Sequence, residues 1–128
     1  MSVIWKTSSP CGEPDWVACF TPASSDATHI SDKSSWFEFE SDRPWHFGSS
    51  TPTPAGKYDL RGVATHEAGH GIGLGHSSNT FATMYINVSS MGAWARSLGW
   101  YDNRGRCQVY GHSGHHYWGG CSSYGGST

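Results

Sequence analysis

A short segment in the middle of the chain contains three histidines and one glutamate at spacings that suit a metal centre. His66 and His70 are four residues apart, so on a helix they share one face and can bind one Zn²⁺ together. Glu67 lies beside them in sequence and can act as a general base toward a water at the metal. Gly73 permits the sharp turn that brings His76 back as a third ligand. Three protein ligands leave a fourth position for water, which is the arrangement of a catalytic zinc.

Two other interpretations of this segment are a histidine-rich loop without metal and a structural zinc site. The pattern fixes five positions, and chance alone gives it on the order of once in ten thousand chains of this composition. A structural site has no need of Glu67. The segment therefore favours a catalytic zinc site.

Local patterns predict the elements that must position these side chains. Asp59 stands at an N-cap position and is followed by a helix from Leu60 to about Gly71, which a run of glycines ends. The other expected elements are strands at residues 3–5, 15–21 and 36–40, with Phe37 and Phe39 of the last one facing inward, and a final helix at residues 102–110 capped by Gly111.

The composition limits the classes of protein that the chain can represent. The 8 Lys and Arg are scattered among 10 Asp and Glu, which argues against nucleic acid as a main partner. No apolar run reaches the roughly 18 residues of a membrane span. The segment after Met1 lacks the charged and apolar regions of a signal peptide. The 7 Trp, 6 Tyr and 5 Phe favour a globular domain with an aromatic core.

The 4 cysteines include no C-x-x-C pair, so the sequence predicts two disulfides rather than a cysteine zinc site or a thioredoxin-type motif. Three pairings are open, and we favour the local one, Cys11–Cys19 with Cys107–Cys121. Four reduced thiols in the core are the alternative. Disulfides indicate an oxidising compartment.

The string H-E-x-x-H-x-x-G-x-x-H is the signature of the metzincin clan of zinc proteases, and the chain resembles the matrixin family most closely. Ser77 follows the third histidine, as in matrixins, and Met84-Tyr85 resembles the end of their Met-turn. Ile86 stands where some metzincins have a fifth, tyrosine ligand, so Tyr85 is not assigned to zinc. The resemblance covers about residues 30–111 and includes Arg96-Ser97-Leu98, the helix led by Asp102, and Tyr110-Gly111.

The resemblance implies an α+β fold of the zincin type, with a twisted mixed sheet, an active-site helix, a Met-turn and a small C-terminal subdomain with a final helix. It implies these site residues: the zinc ligands His66, His70 and His76, the general base and acid Glu67, the support residues Gly73 and Asp102, and Met84 as the hydrophobic floor below the metal. One catalytic zinc is implied, whereas calcium cannot be assigned to residues.

We expect two parts of the chain, a matrixin-like catalytic domain at residues 1–111 and a Gly-, Ser-, His- and Tyr-rich tail at residues 112–128, tethered through Cys121. Nothing in residues 1–35 resembles the strand and long helix with which matrixins open, so we expect a shortened domain. The tail histidines at positions 112, 115 and 116 have no helical spacing and no carboxylate base, which favours a tail over an accessory metal site.

The expected function is that of a zinc-dependent endopeptidase acting on protein or peptide substrates, with no nucleic acid or membrane partner. We expect a secreted, extracellular monomer, by family resemblance and from the cysteines. The substrate is expected to pair with Trp36–Glu40 as an edge strand, beside a pocket walled by Tyr85–Met91 with Ile86, Val88 and Met91 as its apolar residues.

Two alternatives belong to other classes. The first is a catalytically inactive zinc-binding domain that recognises peptides or proteins, against which the presence of Glu67 argues. The second is a carbohydrate-binding module that uses exposed Trp and Tyr side chains, for which polysaccharide binding that survives zinc removal is the diagnostic observation.

Overall fold

A computed structural model describes residues 2–22 and 35–110 of the chain. Three strands form a mixed sheet, β1 (Ser2–Lys6), β2 (Ala18–Thr21) and β3 (Trp36–Glu40). Their order is β1-β3-β2, with β1 parallel and β2 antiparallel to β3. The strongly β-favouring Val, Ile, Trp and Phe residues of these segments explain why they form strands.

The remaining regular elements are a second parallel pair of short strands and two helices. They are β4 (Trp45–His46), β5 (Tyr58–Asp59), α1 (Leu60–Gly71) and α2 (Trp100–Tyr110). Single 3₁₀ turns lie at Pro10–Gly12, Val88–Ser90 and Ala93–Arg96. The described part of the chain is therefore α+β with a small sheet, and the coarse fold class expected from the sequence is confirmed.

The predicted boundaries of α1 agree with the structure, whereas β2 and α2 differ from them. β2 begins at Ala18 rather than at residue 15, because the preceding residues follow Pro14 and belong to a loop that the Cys11–Cys19 disulfide closes. The helix α2 begins two residues before Asp102, whose carboxylate accepts a hydrogen bond from Gly99 N–H at 2.8 Å and so caps the helix start.

The strand β3 is covered on both faces. Phe39 is buried and packs against Trp45, with 5.9 Å between their ring centroids, whereas Phe37 is half-buried. On the opposite face Glu38 is also buried, because Lys6 Nζ lies 3.0 Å from its carboxylate and Cys11 N–H donates to it at 2.6 Å. Alternation predicts that this face of β3 is polar and exposed to solvent. In the structure it is buried, and an ion pair and a hydrogen bond compensate the charge of Glu38.

The expected role of β3 as an edge strand is wrong. β3 lies between β1 and β2, so hydrogen bonds to its neighbours use its backbone groups on both sides. Among the described residues, the strand that packs beside α1 and ends the sheet there is β2. A peptide that adds to this side of the sheet must therefore pair with β2.

The hydrophobic core lies between the sheet and α1. Its buried members are Val17, Ala18, Phe39, Trp45, Val63, Met91 and Ala95. Met91 is only 3% exposed in this cluster, so its expected place in the wall of a substrate pocket is wrong. The 3₁₀ turn at Val88–Ser90 ends just before Met91. The chain that follows this turn packs against α1 and does not continue along the expected substrate pocket.

Several predictions fall on residues outside the described ranges. These are the Gly111 cap, the tail at residues 112–128 with its three histidines, and the pairing of Cys107 with Cys121. Within residues 2–22 and 35–110, no helix has the length and apolar character required to cross a membrane.

Candidate active site

The start of α1 is fixed by Asp59, which is fully buried. Its carboxylate accepts hydrogen bonds from Gly62 N–H at 2.8 Å and from the Thr53 hydroxyl at 2.5 Å, and it pairs with Arg96 at 2.7 Å. Burial alone raises the pKa of this carboxyl, but the hydrogen bonds from Arg96 and Thr53 outweigh it, so the pKa is lowered and Asp59 stays ionised. A charged cap of this kind fixes the helix that carries His66, Glu67 and His70.

The imidazoles of His66, His70 and His76 converge on one point. The Nε2 atom of His70 lies 3.2 Å from Nε2 of His66 and 3.2 Å from Nε2 of His76. Tetrahedral zinc with bonds of about 2.0–2.1 Å to nitrogen separates its ligand atoms by roughly 3.3–3.4 Å, so this spacing fits the ion. Burial decreases along the set, since His66 is buried, His70 half-buried and His76 exposed.

Backbone carbonyls orient the two histidines of α1. The Nδ1–H group of His66 donates to Thr83 O at 2.7 Å, and that of His70 donates to Leu74 O at 2.8 Å. These bonds select the tautomer that leaves both Nε2 lone pairs free for a metal. Burial lowers the pKa of His66 to about 4, so this side chain is neutral near pH 7, as a metal ligand must be.

The turn after α1 returns the chain toward the helix. Gly73 has φ +90°, a conformation in which other residues are strained, and the Leu74 N–H then donates to Gly69 O at 2.9 Å. Two residues further on, His76 reaches the other two imidazoles. The role expected for Gly73 from its spacing is therefore consistent with the structure.

Met84 packs against α1 at Gly69, the residue before His70 in sequence. It is 2% exposed, and a side chain at Gly69 would overlap its Sδ atom, so the two residues are in close contact. The segment around Met84 is tied to the loop after the histidines, since Ser77 N–H donates to Met84 O at 2.7 Å. Helix, loop and Met84 form one packed unit around the imidazole cluster.

The buried carboxylate of Asp102 holds the segment that carries Met84. It accepts hydrogen bonds from Thr83 N–H at 2.9 Å and Met84 N–H at 2.8 Å, in addition to Gly99 N–H. The peptide between Thr83 and Met84 thus donates to Asp102 and accepts from His66. Asp102 therefore acts on the position of His66 through a single peptide unit.

Glu67 is 5% exposed and lies in the same cleft as the imidazoles. Burial raises the pKa of its carboxyl to about 7, and a hydrogen bond from the backbone N–H of Phe20 in β2 opposes this rise. A carboxyl with a pKa near 7 can both accept and release a proton at physiological pH.

The cleft has a volume of about 690 Å³ and separates two walls. Residues 86–89 form one wall, with Ile86 and Val88 as its apolar members. The other wall is the segment Asp15–Cys19. Sequence reasoning predicted the first wall but missed the second, because no local pattern indicates that the disulfide loop faces the histidines.

Replacing Glu67 by glutamine is expected to stabilise the metal-free protein at high pH. The pKa of Glu67 is raised from 4.5 to about 7 in the folded protein, so Glu67 of the unfolded chain loses its proton at a lower pH. The free energy of unfolding of the wild type therefore falls as the pH rises from 4.5 to about 7. Glu67→Gln should raise the free energy of unfolding by about 2–3 kcal/mol more at pH 8 than at pH 4. Urea unfolding of both chelator-treated proteins at the two pH values measures this difference, and an equal effect at both would contradict it.

Comparison with known proteins identifies the family of the chain. The profile of the matrixin family matches residues 20–111, and the chain belongs to this family. A relative from Glycine max, Metalloendoproteinase 1, is 44% identical over 52 residues, which are 39% of this chain and 17% of the relative. The aligned part thus spans less than a fifth of that relative.

Proposed function

We propose that the chain is a zinc-dependent metalloendopeptidase that hydrolyses peptide bonds in extended protein substrates. The observation that carries this proposal is the convergence of three imidazole Nε2 atoms in a cleft that also contains the buried carboxyl of Glu67. Membership of the matrixin family supports it. A domain that only recognises peptides has no need of Glu67 in this position.

The proposed roles follow the geometry of the described residues. His66, His70 and His76 hold the zinc, and residues 82–85 are the Met-turn with Met84 as the apolar floor. Gly73 provides the turn and Asp102 the anchor. We assign residues 1–111 to the catalytic domain and residues 112–128 to an appended tail tethered by Cys107–Cys121.

Glu67 acts as general base and then as general acid. His66, His70 and His76 would hold the zinc, which when bound would supply Lewis-acid chemistry toward the scissile carbonyl and the attacking water. The ionised Glu67 carboxylate accepts the proton of the attacking water, and the resulting carboxylic acid delivers it to the leaving amine. The Phe20 N–H keeps the carboxyl oriented between the two steps.

The substrate lies extended along β2. The Val17 carbonyl accepts from Glu40 N–H on the sheet side, so alternation turns the backbone groups of Ala18 and Phe20 away from β3. Because the Phe20 N–H already donates to Glu67, the groups left for a peptide are those of Ala18 and the Phe20 carbonyl. A peptide that adds to this edge passes the imidazole cluster, and its side chains enter a cleft with Ile86 and Val88 on the far wall. We further propose an extracellular monomer with protein or peptide substrates and no resident partner.

The proposal is tested by measuring zinc and proteolysis together. Purified protein should contain about one zinc per chain and cleave an unstructured protein such as casein, and a chelator should abolish the cleavage until zinc is restored. Zinc binding without cleavage would identify a recognition domain instead. Protein that binds no zinc would contradict both the proposed peptidase function and the alternative of a zinc-binding recognition domain.

A further inference from the structure

We propose that the loop closed by Cys11–Cys19 is the specificity wall of the cleft and that Trp16 is its specificity-determining residue. In this role the indole of Trp16 contacts the substrate side chain that enters the cleft and selects apolar residues. This proposal rests on the proposed peptidase function, and the substrate feature that it concerns is the side chain that enters the cleft.

The placement of the loop is the first observation. The five consecutive residues Asp15–Cys19 line the cleft that contains His66 and Glu67, and all of them lie within the disulfide loop or at its end. Across the cleft lie Ile86 and Val88. A side chain that enters between the two walls must therefore touch the loop.

The exposure of Trp16 is the second observation. Its neighbours Val17 and Ala18 are buried, whereas Trp16 is 50% exposed although it lines the cleft. A half-exposed indole at the mouth of an apolar cleft gains contact area when an apolar ligand covers it, and Trp is among the residues that contribute most to binding.

Bonds on both sides of Trp16 keep it in place. The Cys11–Cys19 disulfide closes the loop, and Cys11 N–H donates to Glu38 at 2.6 Å. On the other side Glu40 N–H donates to Val17 O at 2.9 Å. The loop is therefore already ordered before the substrate binds. This improves the affinity for the substrate and increases the difference in affinity between substrate side chains.

The charges of the cleft define the excluded substrates. Among residues 2–22 and 35–110, those that line it include the carboxyl groups of Asp15 and Glu67 and no Lys or Arg. An acidic substrate side chain beside the Asp15 carboxylate would lose its hydration without gaining a Lys or Arg partner from these residues. The chemistry thus favours large apolar side chains over small ones and excludes acidic ones.

The test compares fluorogenic peptides that differ only in the residue after the scissile bond, which is Phe, Ala or Glu. For Trp16→Ala we expect kcat/KM to fall about tenfold with the Phe peptide and about twofold or less with the Ala peptide. Trp16→Phe should stay within about threefold of the wild type on both. Trp94→Ala is the matched control, because Trp94 is also half-exposed, at 46%, but does not line the cleft.

A second variant tests the loop itself. Cys11→Ser/Cys19→Ser should lower the Phe-to-Ala ratio of kcat/KM about fivefold, because Trp16 is then less firmly held, while zinc content stays at one per chain. Equal losses on the Phe and Ala peptides for Trp16→Ala, or efficient cleavage of the Glu peptide by the wild type, would overturn the inference. A wild type that binds zinc but cleaves none of the peptides and no casein would overturn the proposed function itself.

Discussion

Glu67→Gln is expected to lower kcat by about a thousandfold while the protein still binds one zinc per chain. General base catalysis by a positioned carboxylate contributes about 10²–10⁴-fold, and the amide of glutamine cannot accept the proton of the attacking water. Glutamine has nearly the size of glutamate and still accepts a hydrogen bond through its carbonyl oxygen, so the bond from Phe20 N–H can persist. The loss should therefore appear in kcat rather than in KM.

The measurement is steady-state cleavage of a fluorogenic peptide together with zinc analysis of the same sample. Asp42→Asn is a matched control, because Asp42 is an exposed carboxylate outside both the cleft lining and the Cys11–Cys19 loop. Full activity of Glu67→Gln would refute the mechanism. The same substitution is expected to stabilise the metal-free protein above pH 7, so loss of activity with a gain in stability would exclude misfolding as the cause.

Asp102→Ala is expected to lower the free energy of unfolding by about 3–5 kcal/mol and to weaken zinc binding. The substitution leaves the N–H groups of Thr83, Met84 and Gly99 without their acceptor in a buried environment. Each unsatisfied buried donor costs about 1–3 kcal/mol, less where water can enter. Because the Thr83 carbonyl orients His66, displacement of this segment also disturbs a proposed zinc ligand.

Denaturant unfolding of the zinc-loaded protein and competition with a zinc-binding dye measure the two effects. Asp42→Ala provides the control, since this carboxylate is exposed and accepts only a 3.5 Å hydrogen bond from Ser41 in the described structure. Asp102→Asn should restore part of the stability, because its amide oxygen can accept from two of the three donors. Unchanged zinc affinity in Asp102→Ala would show that the peptide between Thr83 and Met84 does not position His66.

The centre of the site could be predicted from the sequence because its determinants are local. The spacing of His66 and His70 places both on one face of a helix, and the Asp59 cap that starts this helix lies seven residues before His66. The return of His76 requires only the positive φ that Gly73 permits. Each of these relations lies within one helix or one turn, where residue type and period decide the structure.

The walls of the cleft could not be predicted because they depend on pairing between distant segments. The alternation in residues 36–40 predicts a strand but not its neighbours, and β3 proves central because β1 and β2 pair with its two sides. Met91 has the same apolar character as Ile86, and only the path of the chain after Val88–Ser90 separates core from cleft. Trp16 likewise reaches the site only through the order of the strands.

The unequal burial of the three histidines has a consequence for the exchange of the metal. In the zinc-loaded protein that we propose, His66 is buried and His76 is exposed, so an incoming chelator would meet the ion from the side of His76 and replace this ligand while the other two still hold it. Exchange by this route requires no unfolding of α1, so the residence time of the ion depends on the competing ligands in the surroundings. With the proposed ligands, the lifetime of the bound ion would therefore be set at His76, whereas the lifetime of the fold would be set by α1 and its packing.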